Sequence, residues 1–499
     1  MRYDAIIIGA GVAGLSAALK LSGAGKKVLL LERQSVCGGV ATSFSRRAFR
    51  FESSLHCVDA LGQEGTVREF LKENGIEDRL EFIPLNDFAR VIYPEHDFVA
   101  DFNRDHLLSS LTDAFSGQKE GLKRLFKAID DFERDFSAFS ASSLPLFIQL
   151  LIRPLGMINI IKKSMLTADQ FIGAYIKDAR LKGLLGTIWG FMGLPPERLS
   201  ALYFLIVFES FLFCPTAYVK GGYSRIFEAM VNKIEENGSE VRLNTPVRSI
   251  ITENGRVRAV LTEKNVEYEA DTVISGANAI STLTEMVDCL QTRQAYQKEF
   301  SAKELSLSAF QVYLGLKVPA SKLGMDHFMF FVSPSYDHEE NYKFSLSGDY
   351  SRSLFSMVDH AQLDPGSVPP GKGSLLIYMP DNFSNWEGLG PREYKERKAK
   401  AADILIKRAE KYLPGLSENI EVSESATPRT ILRYSLASQG AIYGFAQTVE
   451  QSGINRLAQR TRVPGLFLAG GWTRPGGGVH ACFLSGAEAA NLALNFLKK

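Results

Sequence analysis

The stretch from Tyr3 to Glu32 constrains the fold of this chain more than any other. Tyr3 to Ile8 is a short apolar run suited to a buried parallel strand, and Gly9, Gly11 and Gly14 follow it directly as Gly-x-Gly-x-x-Gly. In such a turn the first glycine makes the bend, the second leaves room for a pyrophosphate, and the third lets helix and strand pack closely. Leu15, Ala18, Leu19 and Leu21 give the next segment the apolar face of a helix, whose N-terminus favours phosphate charge. A second strand, Lys27 to Leu31, ends at Glu32, about 20 residues past the fingerprint, where a carboxylate accepts ribose hydroxyls and disfavours a 2′-phosphate. Strand, turn, helix, strand and acid in that order predict an α/β, Rossmann-like dinucleotide-binding domain.

Two further segments narrow the cofactor. Arg33 and Cys37-Gly38-Gly39-Val40-Ala41-Thr42 extend the fingerprint, and Gly470-Gly471-Trp472-Thr473-Arg474-Pro475-Gly476-Gly477-Gly478-Val479 forms a second glycine-rich turn before Ser485-Gly486-Ala487. A helix is expected from about Leu484 to Lys498, with its positive end aimed at a ligand. These motifs resemble those of the phytoene desaturase, carotenoid isomerase and retinol saturase family within the flavin amine oxidase superfamily. Ala426 to Thr430 and Gln439 to Gly444 resemble the segment before the last flavin strand in the isomerases and saturases. The resemblance covers essentially the whole chain. It implies non-covalent FAD in a glutathione-reductase/amine-oxidase type domain interleaved with an α+β substrate domain. It also implies cofactor contacts at Gly9, Gly11, Ala13, Gly14, Glu32, Arg33, Gly38, Gly39, Ala41, Thr42, Gly470, Gly471, Gly478 and Val479, with the backbone of Val247 against the adenine. Cys482 is read as a small buried filler, not a covalent flavin attachment.

The cofactor domain is expected to be discontinuous, over 1–102, 220–289 and 424–499. Ile226, Met230 and Ile234 recur at helical spacing until Asn237-Gly238 stops them. Short strands follow at Glu240 to Asn244, Val247 to Ile251, Arg256 to Leu261, Val266 to Glu269 and Asp271 to Ser275, with Asn254-Gly255 as a hairpin turn. Residues 103–219 form a greasy helical insertion. Residues 290–423 form a sheet-containing one, with strands at Ser308 to Lys317, His327 to Val332 and Ser374 to Met379 and a charged helix from about Pro391 to Tyr412. There is no second dinucleotide fingerprint, so a separate electron donor or acceptor is expected.

A net charge of +1 offers nucleic acid no general attraction. The five cysteines Cys37, Cys57, Cys214, Cys289 and Cys482 show no disulfide framework or metal-ligand pair, and the first strand begins too early for a signal segment, so a cytoplasmic location and no metal are expected. Leu144 to Ile161 and Ala201 to Cys214 are apolar but interrupted, shorter than the roughly 20 residues of a spanning helix. Two readings stay open for them: an entrance that dips into a membrane surface, with Arg153, Lys162 and Lys163 meeting headgroups, or buried core helices.

The resemblance implies an FAD-dependent enzyme acting on carbon–carbon double bonds of a lipophilic polyene. The family's Phe-Asp-x-Gly is replaced here by Phe51-Glu52-Ser53-Ser54-Leu55-His56, which keeps the aromatic and the acid and brings a histidine as in the saturases. That feature and the Gln439 to Gly444 segment favour saturase or isomerase over desaturase. His56 and His480 are candidate proton donors, because imidazole titrates near neutrality, or else structural histidines beside the cofactor. Tyr443 and Trp472 are candidate pocket residues. A flavin amine oxidase, with paired rings over the flavin, and a non-catalytic prenyl-lipid escort of the same fold are the alternatives.

Overall fold

The computed structural model describes residues 2–498 apart from Glu64, Asn86, Phe102, 141–153, Cys214 and Pro215. The strand Arg2–Ile8 occupies the middle of a seven-stranded sheet, parallel to Val28–Leu31 on one side and Glu267–Ser275 on the other. Glu240–Arg242 and Leu466–Leu468 extend the parallel part at its two edges. Because both faces are covered, these strands read as continuous apolar runs rather than alternating ones. Ala5, Ile7, Val28 and Leu30 face the helices Val12–Gly23, Ser224–Glu236 and Val479–Leu497, while Ile6, Ile8, Leu29 and Leu31 pack against Ile250, Val260 and Tyr268.

The local signals translate directly into structure. Ile226, Met230 and Ile234 are all buried along Ser224–Glu236, and the helix gives way to Asn237 and a left-handed Gly238. Asn254 and Gly255 both take positive φ, the requirement of a two-residue hairpin turn, and join Val247–Glu253 to Arg256–Thr262. Val266 to Glu269 and Asp271 to Ser275, expected as two strands, are one continuous strand, Glu267–Ser275, pairing antiparallel with the hairpin at its start and parallel with Arg2–Ile8 along its length.

The second sheet also has seven strands, in the order Ile420–Ala426, Ser308–Leu316, Gly373–Asp381, Phe355–Val358, Met329–Val332, Asp87–Ile92 and Asp97–Asp101. Two of these move the expected domain boundaries. Asp87–Ile92 lies parallel to Met329–Val332, so residues 87–101 belong with the substrate sheet and not with the cofactor domain that 1–102 was expected to form. Ile420–Ala426 pairs with Ser308–Leu316, which carries the same sheet past residue 423. The partner of a short strand such as Asp87–Ile92 lies more than two hundred positions away, and its own residues do not name it.

The helices Arg104–Ala114, Lys119–Ser140, Pro154–Ser164, Ala168–Gly173, Ala179–Gly186 and Ala201–Phe213 share one apolar core with this sheet. Most of the segment from Leu144, with Arg153, and also Cys214, lie outside the described residues. Among the described residues no helix is long and apolar enough to cross a membrane. Lys163 does not reach outward as expected: it is 6% exposed, its Nζ donates to Asn159 Oδ1 at 2.6 Å, and it lies over the rings of Phe132 and Phe171. Lys162 is exposed.

Candidate flavin site

The site begins where three glycine-bearing segments meet. A Cβ built on Gly14 would fall 2.0 Å from the carbonyl oxygen of Gly9, so the helix Val12–Gly23 approaches its strand this closely only with glycine there. A Cβ on Gly11 or on Gly478 would meet nothing within 4 Å. These two open positions are the N-caps of Val12–Gly23 and Val479–Leu497, and neither helix has a side-chain cap among the described residues, which leaves N–H groups for an anion. The Gly38 N–H donates to Ala10 O at 2.8 Å and brings Gly38-Gly39 alongside Gly11. Ala41, in the short helical turn Gly39–Ala41, is buried, and Thr42 Oγ1 donates to Ser43 O at 3.4 Å.

Glu32 is 9% exposed. Its Oε2 accepts the Ala10 N–H at 2.7 Å and its Oε1 the Gln34 N–H at 2.6 Å, which fixes the carboxylate and leaves each oxygen a further lone pair for a ribose hydroxyl. The Thr245 N–H donates to Glu32 O and the Asn244 N–H to Gln34 O, placing the segment that leads into Val247 beside the acid. Arg33 turns away: its guanidinium donates to Arg433 O and Tyr434 O, satisfying carbonyls at the end of the helix Pro428–Ser435. Apart from Arg33, the residues at this end fit the adenosine and pyrophosphate of FAD.

The second glycine turn is tied to the first. Gly470 lies beside Ala13, with 3.7 Å between an added Cβ and the Ala13 Cβ, and a Cβ on Gly486 would fall 2.2 Å from Ala13 O. Ser485 Oγ accepts the Gly470 N–H at 3.0 Å and lies 2.7 Å from Thr473 Oγ1, which donates to Gly470 O. Val479 begins the terminal helix, five positions before the expected Leu484, because Gly478, at φ +102°, cannot be helical and everything after it can. His480 therefore stands in the first helical turn, outside the glycine loop. Trp472, expected in the pocket, is 7% exposed. It packs edge-on against Phe445 at 5.1 Å within the core formed by Leu466 and Leu468.

The two histidines have opposite surroundings. His480 Nδ1 donates to Asp59 Oδ2 at 2.9 Å and its Nε2 meets Thr66 Oγ1 at 2.8 Å; Ser210 Oγ also donates to Asp59. Burial alone would lower the His480 pKa, but the charge and hydrogen bond of Asp59, with Glu209, raise it above the usual imidazole value. Burial works against the Asp59 carboxylate too, yet His480 and Ser210 bring its pKa below the normal range. His56 is 5% exposed, with Phe191 and Tyr378 edge-on at 5.1 and 5.2 Å, and neither of its ring nitrogens has a partner among the described residues. Burial, helped by nearby His360, pushes its pKa down to about 3, so it is neutral at physiological pH.

Tyr443 connects His56 to the glycine turn. Its ring is where a Cβ on Gly477 or Gly193 would fall, and it lies near Tyr378, whose hydroxyl donates to Gly190 O. Three functional residues were not singled out in the sequence: Asp59, Ser210 and the buried Arg456, whose guanidinium donates to carbonyls of both Tyr443–Phe445 and Gly471–Thr473. None lies in a recognisable motif: Asp59 meets Ser210 and His480 at 151 and 421 positions, and Arg456 bonds carbonyls 11 to 17 positions away that only the folded turn brings around it. Among the described residues no group of acids, histidines and cysteines is placed to hold a metal ion, and Cys37, Cys57, Cys289 and Cys482 are free thiols.

Comparison with known proteins gives a single picture. Over its whole length the chain is 26% identical to prolycopene isomerase 2 of an Oncidium hybrid cultivar, covering 85% of that protein. It is 25% identical to the neurosporene-forming phytoene desaturase of Rhodobacter capsulatus, over 98% of this chain and 93% of that one, and 24% identical to the all-trans-retinol 13,14-reductase of Danio rerio, over 94% and 82%. A solved structure of putrescine oxidase has the same fold, with a TM-score of 0.65 at 16% identity over 99% of each chain. The family model described as flavin containing amine oxidoreductase matches residues 12–494, from the first turn of the Val12–Gly23 helix almost to the end of the terminal one, and the chain belongs to that family.

Proposed function

We propose that the chain is an FAD-dependent enzyme acting on carbon–carbon double bonds of a long apolar isoprenoid, with saturation or isomerisation favoured over desaturation and the FAD held non-covalently. The observation that carries this reading is the aromatic, apolar packing around His56, where Phe191 and Tyr378 stand edge-on at 5.1 and 5.2 Å and Phe191 in turn packs on Phe211 and Phe331. The full-length likeness to a prolycopene isomerase, a phytoene desaturase and a retinol reductase supports the same substrate class. An amine oxidase would hold a small amine between paired rings; here Tyr443 packs against Gly477 and Gly193, and no ring stacks on it among the described residues.

Bound FAD supplies hydride exchange with an unactivated carbon. The protein's part is to orient the polyene, exclude water and manage one proton. His480, kept protonated by Asp59, is the residue we assign to donate or take that proton at its ring nitrogen. His56 is neutral and unpartnered, suited to orienting a substrate group rather than to acting as an acid. Phe191 and Tyr378 enclose His56 edge-on and keep water from it. The exposed Ile158, Ile161 and Met165, with Lys162, support docking on a membrane surface from the cytoplasmic side, and a separate electron partner completes any net redox cycle.

The test is chromatography of products after anaerobic incubation with phytoene-like, lycopene-like and retinoid polyenes, with the flavin either oxidised or reduced. Saturated product or geometric conversion with reduced flavin supports the proposal. Product formed only with oxidised flavin makes the enzyme a desaturase, and a protein that takes up no flavin is an escort of the same fold.

A further inference from the structure

Arg456 is 2% exposed and lies beneath the glycine-rich turn that leads into Val479–Leu497. Its Nε donates to Thr473 O at 3.0 Å, its Nη1 to Phe445 O at 3.1 Å, and its Nη2 to Tyr443 O at 2.9 Å and to Gly471 O. Every one of these acceptors is a backbone carbonyl. Among the described residues the groups that act on its charge are the neutral side chains of Tyr203 and Cys482, not a carboxylate. Burial lowers its pKa only to about 10, so it carries a full charge at neutral pH.

A buried cation without an anion is costly, by several kcal/mol, because carbonyl dipoles satisfy its N–H groups but do not cancel its charge. Arg50 by contrast pairs with Asp364 at 2.7 Å, and of the two arginines that also donate to backbone carbonyls, Arg408 is only partly buried and Arg474 is exposed. Arg456 instead touches two segments of the flavin site, one holding Gly471 and Thr473 and the other holding Tyr443. We infer that Arg456 is a positioning residue whose missing counter-charge is the reduced, anionic form of the flavin, so that it raises the cofactor's reduction potential while locking Tyr443 to the glycine turn. This rests on the FAD reading above. The N-terminal end of Val479–Leu497 acts in the same direction, but as a partial charge that weakens within a turn, whereas the guanidinium is a whole one.

The experiment compares the full-length, FAD-loaded protein with Arg456→Lys and Arg456→Met by sulfite titration, which forms an anionic flavin adduct, and by the flavin's reduction potential. Arg456→Met is expected to bind sulfite at least about tenfold more weakly and to shift the potential downward, while Arg456→Lys stays within about threefold of the wild type. A merely structural arginine would not move these readouts in a protein that still binds FAD. An Arg456→Met protein that keeps its FAD with unchanged sulfite affinity and potential overturns the inference. Should that variant not fold, the wild type decides: a bound flavin with a potential above that of free FAD supports the inference, and one at or below it refutes it. A protein that takes up no FAD sinks the underlying reading instead, an outcome distinct from either.

Discussion

His480 and Asp59 stand 421 positions apart in the chain and 2.9 Å apart in the fold. The first turn of a helix is a poor place for a positive charge, because the helix end is itself positive. Asp59 reverses that preference and raises the imidazole pKa above its ordinary value.

The pair makes a definite pH dependence. His480 has a folded pKa above its unfolded value near 6.5, so its contribution is complete below that pH and fades as pH rises through the folded value. Asp59 has a folded pKa below its unfolded value of 3.8, so its contribution is present above that and fades as pH falls through the folded value. Asp59→Asn should therefore cost about 2 kcal/mol between roughly pH 4 and 6.5, less at either extreme. It should also shift the basic limb of the rate profile toward lower pH. Chemical denaturation and rate measurements across the same buffers check both; an unchanged rate profile would remove His480 from the mechanism.

Gly11 and Gly14 separate folding from cofactor binding. Gly11 has φ −71° and open space where a Cβ would be, so Gly11→Ala should fold with wild-type stability and yet bind FAD at least about tenfold more weakly, since the methyl group takes pyrophosphate space. In Gly14→Ala the added carbon meets the Gly9 carbonyl, and the expected loss is about 3 kcal/mol or more of stability with or without FAD. Thermal melts with and without added FAD distinguish the two.

His56→Phe removes two unpartnered ring nitrogens from an aromatic nest. The FAD-free protein should be as stable as the wild type or more so, by about 1 kcal/mol, while turnover of the polyene falls. Because His56 in the fold stays neutral down to about 3, the wild type loses stability as pH drops below about 6.5, and the variant should lose less. Acid denaturation curves of the two proteins make the comparison.

Trp472→Ala should cost about 3 to 5 kcal/mol, the price of an emptied core site, and alter substrate preference little. A denaturant melt alongside product ratios from two polyenes tests this. A large change in preference with little loss of stability would return Trp472 to the pocket.

What the sequence disclosed follows the range over which each feature is determined. The turn at Gly9, Gly11 and Gly14, the acid at Glu32 and the spacing of Ile226, Met230 and Ile234 are local, and they were legible. The start of the terminal helix was misplaced because the glycines around Gly478 resemble a longer loop, although one positive φ ends it. Asp87–Ile92 falls inside the 1–102 expected for the cofactor domain yet pairs with Met329–Val332 in the other sheet, because that partner is set by tertiary packing. Trp472 and Tyr443 looked alike as aromatics near glycines, and only burial against Phe445 or contact with Gly477 separates them. Asp59 carries no signal because its partners His480 and Ser210 come from distant segments, and Arg456 carries none because its acceptors, 11 to 17 positions away, are backbone carbonyls that no residue pattern marks.

The most direct measurement is the absorbance of the FAD-loaded protein during anaerobic mixing, in both flavin oxidation states, with a long polyene and, separately, with primary and secondary amines. The account predicts a polyene-dependent flavin signal, or geometric conversion of the polyene that requires reduced flavin, and no response to amines. Bleaching of the oxidised flavin by an amine, with every polyene inert, would contradict it.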